Sequence, residues 1–247
     1  MNLKIAASFT NSNNKYIFLY RKESCFVFLN LTYIKYHGHI MIKQFFIDRR
    51  PHMGLAYSQY MDSINKKIES INPSDPEKDL LDTHEIIKLN LYRANRINKT
   101  YVVDETLCMK AMKINKKQLW MILTEDWCGD SAQSIPYIAK IAECNPLIEL
   151  KFLLRNENTD IMNFYLTDGE SRSIPKLVAF DTEGNELFQW GPRPQEADKL
   201  VKTAKLEGKS KDQFLNELHL WYAKDKGKSL EKEFSSIIEE QLSTPRS

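Results

Sequence analysis

A short apolar run followed closely by the beginning of a helix is the feature that most constrains the fold. Residues Gln118–Thr124 are nearly all apolar, which is typical of a strand buried on both faces. A helical pattern covers residues 131–144 and contains Pro136. The short turn between them ends in Trp-Cys-Gly-Asp-Ser, residues 127–131. This strand–turn–helix unit predicts an α/β fold with Cys128 where a helix begins.

Helices are predicted to flank a mixed middle part of the chain. The apolar spacing and the turn residues predict helices at 54–70, 77–98, 104–114, 159–166, 194–206, 210–226 and 229–241. They predict further strands at 101–103, 147–154, 176–180 and 186–190, the last two forming a hairpin.

Composition excludes several classes of function. The formal net charge is +2, so no general affinity for nucleic acid is expected. The 8 glycines form no phosphate-binding loop, and the 4 cysteines form no C-x-x-C or zinc-ribbon pattern. Residues 25–34, the longest apolar run of the basic N-terminal region, span about half of what a bilayer requires. We therefore expect no metal site, no cofactor-binding loop and no membrane span.

The first 50 residues differ from the rest of the chain. They carry eight basic and two acidic residues and ten of the aromatic side chains. Two interpretations stay open. In the first, residues 1–48 are a basic, aromatic leader in which Met41 is the true start, so that residues 1–40 are a translated upstream region. In the second, the stretch contains a β-hairpin formed by residues 16–20 and 25–31.

Opposing effects act on the Cys128 thiol. A helix N-terminus offers free N–H groups and a positive dipole end, which stabilise a thiolate. Three nearby carboxylates, Glu125, Asp126 and Asp130, disfavour it, and the sequence does not decide between the two effects. Cys144 is expected roughly 24 Å away along the helix, and Cys108 is expected to face the core.

The chain resembles the thioredoxin family, specifically one bacterial branch with helical extensions. The resemblance rests on the strand at 119–124, the W-C-G turn, the kink at Pro136 and the Ile174-Pro175 pair before the hairpin. It implies an α/β, thioredoxin-like three-layer sandwich at residues 99–207. A helical N-terminal extension at 49–98 and C-terminal helices at 208–247 complete the expected organisation.

The resemblance also implies a site and two departures from it. Cys128 and Ser131 are the expected catalytic residues, and Ser131 stands where thioredoxins have the second cysteine. Ile122 stands where the family has its buried acid. The residues expected to contact substrate are Trp127, Gly129, Asp130, Arg172, Ile174 and Pro175. Arg172 is expected beside the thiol, offsetting part of the acidity, and the Ile174–Pro175 bond is expected to be cis.

Two functions fit this pattern. The first is a cytoplasmic monothiol thiol–disulfide oxidoreductase acting on protein or mixed-disulfide substrates, with glutathione or bacillithiol as the external thiol and no bound cofactor. The second is a redox-inactive protein-binding module. An iron–sulfur carrier is disfavoured because Asp130 stands where such carriers have an aromatic residue.

Overall fold

The structure, a computed structural model, describes the backbone of residues 5–10, 16–22, 25–29, 34–37, 40–70 and 78–243, and the side chains of 42–70 and 83–243. The chain divides into two compact units, Met1–Arg50 with Glu183–Asn185, and Pro51–Thr182 with Glu186–Ser247. Each unit is described by itself.

The first unit contains two small antiparallel sheets and one short helix. Strands β1 (Ile5–Thr10), β2 (Tyr16–Lys22) and β3 (Cys25–Leu29) form one sheet. Strands β4 (Ile34–His37) and β5 (Ile40–Lys43) form the other, followed by α1 (Gln44–Ile47). The pairing of β2 with β3 follows the hairpin interpretation of the N-terminal region.

The second unit is built on a four-stranded mixed sheet with the order β7-β6-β8-β9. Its strands are β6 (Gln118–Thr124), β7 (Ile148–Leu154), β8 (Lys176–Phe180) and β9 (Glu186–Trp190). β6 pairs parallel to β7, while β8 pairs antiparallel to both β6 and β9. Six of the seven residues of β6 are buried, so both faces of the sheet are covered.

Helices precede, interrupt and follow this sheet. After a 3₁₀ turn at Pro51–Met53 come α2 (Tyr57–Ser70), α3 (Lys78–Thr100), α4 (Glu105–Met112), α5 (Gly129–Glu143), α6 (Thr159–Met162), α7 (Gln195–Leu206), α8 (Lys211–Asp225) and α9 (Lys228–Ser243). One core cluster joins Ile135, Ile138 and Ile141 of α5 to residues of β6, β8, α3 and α9. The predicted α/β architecture, a four-stranded sheet with helices before and after it, is confirmed.

The strand predicted at residues 101–103 is wrong. These residues have no regular structure, and Val102 is 85% exposed. Tyr101 packs its ring edge-on against Tyr137, with ring centroids 4.5 Å apart, and its hydroxyl donates to Glu231 at 2.7 Å. The aromatic residue that suggested a strand therefore anchors the connection between α3 and α4.

Among the described residues, no helix is long and apolar enough to cross a membrane.

Candidate functional site

The Cys128 thiol lies where α5 begins, beside the loop that leads into β8. Cys128 is the N-cap of α5, and its carbonyl accepts the N–H of Ala132 at 3.1 Å. Its Sγ donates to the carbonyl of Ile174 at 3.3 Å. The Ile174–Pro175 peptide bond is cis. The turn and the Ile-Pro pair, which are 46 residues apart in sequence, thus meet at one thiol, which is only 8% exposed.

The N-terminal helical extension covers this thiol. Cys128 and Ser131 line a small cavity together with Tyr60 of α2, Asn90 of α3 and other side chains of these two helices. Asn90 is itself buried and donates from Nδ2 to the carbonyl of Asp126 at 3.1 Å. The extension is therefore part of the site, and it is the reason why the thiol has little contact with solvent.

A pair of buried hydroxyl groups lies beside the sulfur. Thr124 Oγ1 donates to Ser131 Oγ at 2.8 Å. Because Ser131 accepts from Thr124, its own proton is free for Cys128, whose pKa the Ser131 hydroxyl lowers. This arrangement orients Ser131 as a donor to a thiolate.

Burial raises the pKa of the Cys128 thiol above its ordinary value, and the negative charge of Asp130 raises it further. The Ser131 hydroxyl and the backbone N–H groups of Ser131 and Asp130 act in the opposite direction. Burial is therefore the main reason why the pKa of Cys128 is raised and not lowered. The depth at which a side chain is buried could not be read from the spacing of residues in the sequence.

Asp130 is held by two side chains from distant parts of the chain. Arg193 donates to Oδ2 from Nη2 at 2.6 Å and from Nε at 3.1 Å. The Tyr222 hydroxyl of α8 donates to Oδ1 at 2.7 Å. Burial and the adjacent Asp130 carboxylate together raise the pKa of Tyr222 well above its ordinary value, so it remains a donor. This Asp130 clamp fastens the C-terminal helices to the turn that carries the thiol.

The other two carboxylates before Cys128 are also engaged. Glu125 is buried and accepts the backbone N–H of Asn156 at 2.7 Å. Burial raises the pKa of Glu125, and the hydrogen bond from Asn156 opposes this rise. Asp126 forms an ion pair with Lys67 of α2 at 2.5 Å. Of the three carboxylates, Asp130 is the one whose charge raises the pKa of the thiol.

Trp127 and Arg172 lie at the outer rim of the site. Trp127 is 36% exposed, and the Arg155 guanidinium carbon lies 5.1 Å from its ring centroid. Arg172 is exposed, and its Nε donates to Asn163 Oδ1 at 3.0 Å. The arginine that binds a carboxylate next to the thiol is Arg193, whereas Arg172 points its guanidinium to Asn163.

Comparison with known proteins identifies the family. A family model described as thioredoxin matches residues 78–205, just over half of the chain. The chain belongs to the thioredoxin family. No curated protein gives a significant sequence match.

Two solved structures resemble this thioredoxin-family chain at low identity. One is a protein of unknown function from Pseudomonas aeruginosa, with 16% identity and a TM-score of 0.46. The other is an HIV epitope scaffold, with 15% identity and a TM-score of 0.45. In both cases the match covers 75% of this chain and 98% of the other chain.

This thioredoxin-family protein has no C-x-x-C pair, and two cysteines outside the turn are bonded to each other. Cys108 of α4 and Cys144, the C-cap of α5, form a disulfide, with their Cα atoms 5.4 Å apart. The sequence analysis did not predict this bond, since it assigned Cys108 to the core. The two cysteines are 36 residues apart, and no local motif signals that α4 lies beside the end of α5.

Sequence reasoning missed four side chains of the site. Arg193 and Tyr222 bind Asp130, while Arg93 of α3 and His219 of α8 lie beside Gly129. His219 and Tyr222 are both on α8. Their helical spacing of three places both on one face, which is the only signal that the sequence offers.

Among the described residues, no cluster of three or more His, Cys, Asp or Glu side chains is arranged to hold a metal ion.

Proposed function

We propose that this protein is a monothiol thiol–disulfide oxidoreductase in which Cys128 is the nucleophile. The observation that carries the proposal is the free thiol at the N-cap of α5, next to the Ser131 hydroxyl and the backbone N–H groups of Ser131 and Asp130, which lower its pKa against the effect of burial. These are donors suited to a negative sulfur, and the thiolate is the attacking species in disulfide exchange.

The proposed reaction has two exchange steps. The Cys128 thiolate attacks one sulfur of a substrate disulfide, forms a mixed disulfide and releases the other half of the substrate as a thiolate. An external thiol such as glutathione or bacillithiol, as its thiolate, then attacks the mixed disulfide. This second step restores Cys128 and releases a new disulfide, so electrons pass from the external thiol to the substrate.

An external thiol is proposed because no described side chain can serve as a disulfide partner for Cys128. Ser131 has a hydroxyl where a resolving thiol would be, and it cannot form a disulfide. Cys144 lies at the far end of α5, about 24 Å away along the helix, and is already bonded to Cys108. Trp127, which is 36% exposed, and the buried Ile174–Pro175 pair beside the thiol are proposed to dock the substrate. The cytoplasm is the proposed compartment.

Reduction of bis(2-hydroxyethyl) disulfide by glutathione, followed with glutathione reductase and NADPH, tests this proposal. Cys128→Ser is expected to bring the rate to the uncatalysed background. The matched control is the double variant Cys108→Ser/Cys144→Ser, which removes two cysteines away from the site and is expected to keep most of the activity. Equal activity of wild type and Cys128→Ser would refute the proposal.

A specific observation favours the second candidate, a redox-inactive protein-binding module. The thiol is buried under α2 and α3 and its pKa is raised, both of which slow exchange at neutral pH. For this candidate, iodoacetamide would leave Cys128 of the folded protein unmodified at pH 7.5, and a captured partner would remain bound to Cys128→Ser. Covalent capture that requires Cys128 favours the oxidoreductase.

A further inference from the structure

We propose that Arg93 and His219 form a carboxylate-binding site beside Cys128, which selects disulfides whose small-thiol half carries a carboxylate. The inference rests on the proposed function for its catalytic consequence, but the binding itself does not depend on exchange. It names the preferred substrate as a disulfide of an anionic, peptide-like thiol and not of a neutral one.

The two cationic side chains come from separate helices and meet at the residue after the thiol. A Cβ atom added to Gly129 would lie 3.2 Å from Cε1 of His219 and 3.9 Å from Nη1 of Arg93. Arg93 is on α3, in the N-terminal extension, and His219 is on α8, in the C-terminal helices. The pair therefore lies within one residue of the sulfur that the proposed substrate must reach.

Arg93 has no acidic partner within the described part of the chain. Its Nη1 donates to the neutral amide oxygen of Asn90 at 3.2 Å. Partial burial lowers the pKa of Arg93, and the like charge of Arg96 adds to this effect. A half-buried guanidinium without a carboxylate is costly, and a bound anion would compensate its lost hydration.

His219 also has a polar atom without a partner. Its Nδ1 is inaccessible to solvent and has no hydrogen-bond partner within the described residues. Burial lowers the pKa of His219, Arg93 lowers it further, and Asp130 opposes both. Nε2 of His219 lies on the Gly129 side, 3.8 Å from the same Cβ position, so the neutral imidazole can donate from this nitrogen next to the Arg93 charge.

The acidic side chains of the turn do not occupy this site. Asp130 is bound by Arg193 and Tyr222, and Asp126 is bound by Lys67. Arg93 and His219 are thus left facing Gly129 with no internal carboxylate bound to either. A carboxylate on the incoming thiol is the group that fits, because a guanidinium and an imidazole N–H together offer donors to both of its oxygens.

The experiment uses the full-length protein and two kinds of measurement. S-methylglutathione, which has carboxylates but no free thiol, is titrated into the protein and its Kd is measured by calorimetry. The ratio of kcat/KM for glutathione disulfide to that for bis(2-hydroxyethyl) disulfide is measured with one neutral reducing thiol, 2-mercaptoethanol. Arg93→Gln and His219→Gln are compared with the control Arg96→Gln, an exposed arginine one turn further along α3.

Arg93→Gln is expected to weaken S-methylglutathione binding about tenfold and to lower the kcat/KM ratio by a similar factor. His219→Gln is expected to cause a smaller loss in both, and Arg96→Gln to change neither by more than about twofold. No measurable binding to the wild type, or the same loss in Arg96→Gln as in Arg93→Gln, would overturn the inference. If exchange activity is absent while binding depends on Arg93, the proposed function fails and the binding site stands.

Discussion

The two ends of helix α5 each carry a cysteine, and the surroundings of these cysteines differ in almost every respect. At the N-terminal end, Cys128 is free, buried and surrounded by hydrogen-bond donors. At the C-terminal end, Cys144 is half-buried and bonded to Cys108. The disulfide links α4 to the end of α5. The thiol at the other end of α5 is held by burial and by the elements around the turn, without a covalent partner among the described side chains.

The largest expected effect comes from removing the disulfide at the C-terminal end of α5. Cys108→Ser/Cys144→Ser is expected to lower the free energy of unfolding by about 2–4 kcal/mol, because the unfolded chain gains the freedom of a loop that the disulfide had closed. Urea denaturation under non-reducing conditions measures this loss. In excess reductant, wild type and double variant are expected to unfold at the same urea concentration, and a persistent difference would contradict the account.

Removing one donor at the N-terminal end is expected to have the next largest effect. Ser131→Ala removes the hydroxyl directed at the thiolate and should slow disulfide exchange about tenfold, since hydrogen bonds to charged groups contribute about 1.5–3 kcal/mol. Thr124→Val, which only orients Ser131, should cause a smaller loss. Ser173→Ala, whose hydroxyl is bonded to Ser171, is the control and should leave the rate unchanged.

The pH dependence of Cys128 alkylation distinguishes the effect of burial, which raises the pKa of the thiol, from the effect of the helix N-terminus, which lowers it. Because burial and Asp130 raise the pKa of Cys128, its alkylation rate is expected to keep increasing with pH beyond about 8.5, the ordinary value for a free thiol. The folded state then holds this proton more tightly than the unfolded state, so stability should fall as pH rises above about 8.5. A rate that levels off below pH 8 would contradict this reasoning.

Variants of the Asp130 clamp are expected to have the smallest effect, and they distinguish the role of charge from that of packing. Asp130→Asn removes the charge that raises the pKa of Cys128, so alkylation at pH 7.5 should become about two- to fivefold faster. Arg193→Gln leaves the Asp130 charge without its cationic partner and should slow alkylation by a comparable factor. Changes in the same direction for both variants would mean that loosening of α8, and not charge, controls the thiol.

Local patterns predicted the parts of the site that are close in sequence. The apolar run of β6 and the helical spacing of α5 place Cys128 at an N-cap, and these elements follow the prediction. The Ile174-Pro175 pair lies at the thiol, but its approach was inferred from the family resemblance and not from its spacing.

The contacts that the sequence did not predict are made by side chains from different helices. Arg193 and Tyr222 reach Asp130 over 63 and 92 residues, and each is a common surface residue type. Near the Cys108–Cys144 disulfide, Asn145 Nδ2 donates to the carbonyls of Ala111 in α4 and Ile114 just after it. Such contacts depend on how helices pack, and no periodicity of the chain records them.

The central claim is that Cys128, and not the Cys108–Cys144 pair, exchanges with an external disulfide. Intact-mass and peptide analysis of the wild-type protein after incubation with glutathione disulfide tests it most directly. We predict a glutathione adduct on Cys128 and none on Cys108 or Cys144, and the adduct is removed by excess glutathione with recovery of the free thiol. An unmodified Cys128, or an adduct on Cys108 or Cys144, would contradict the claim.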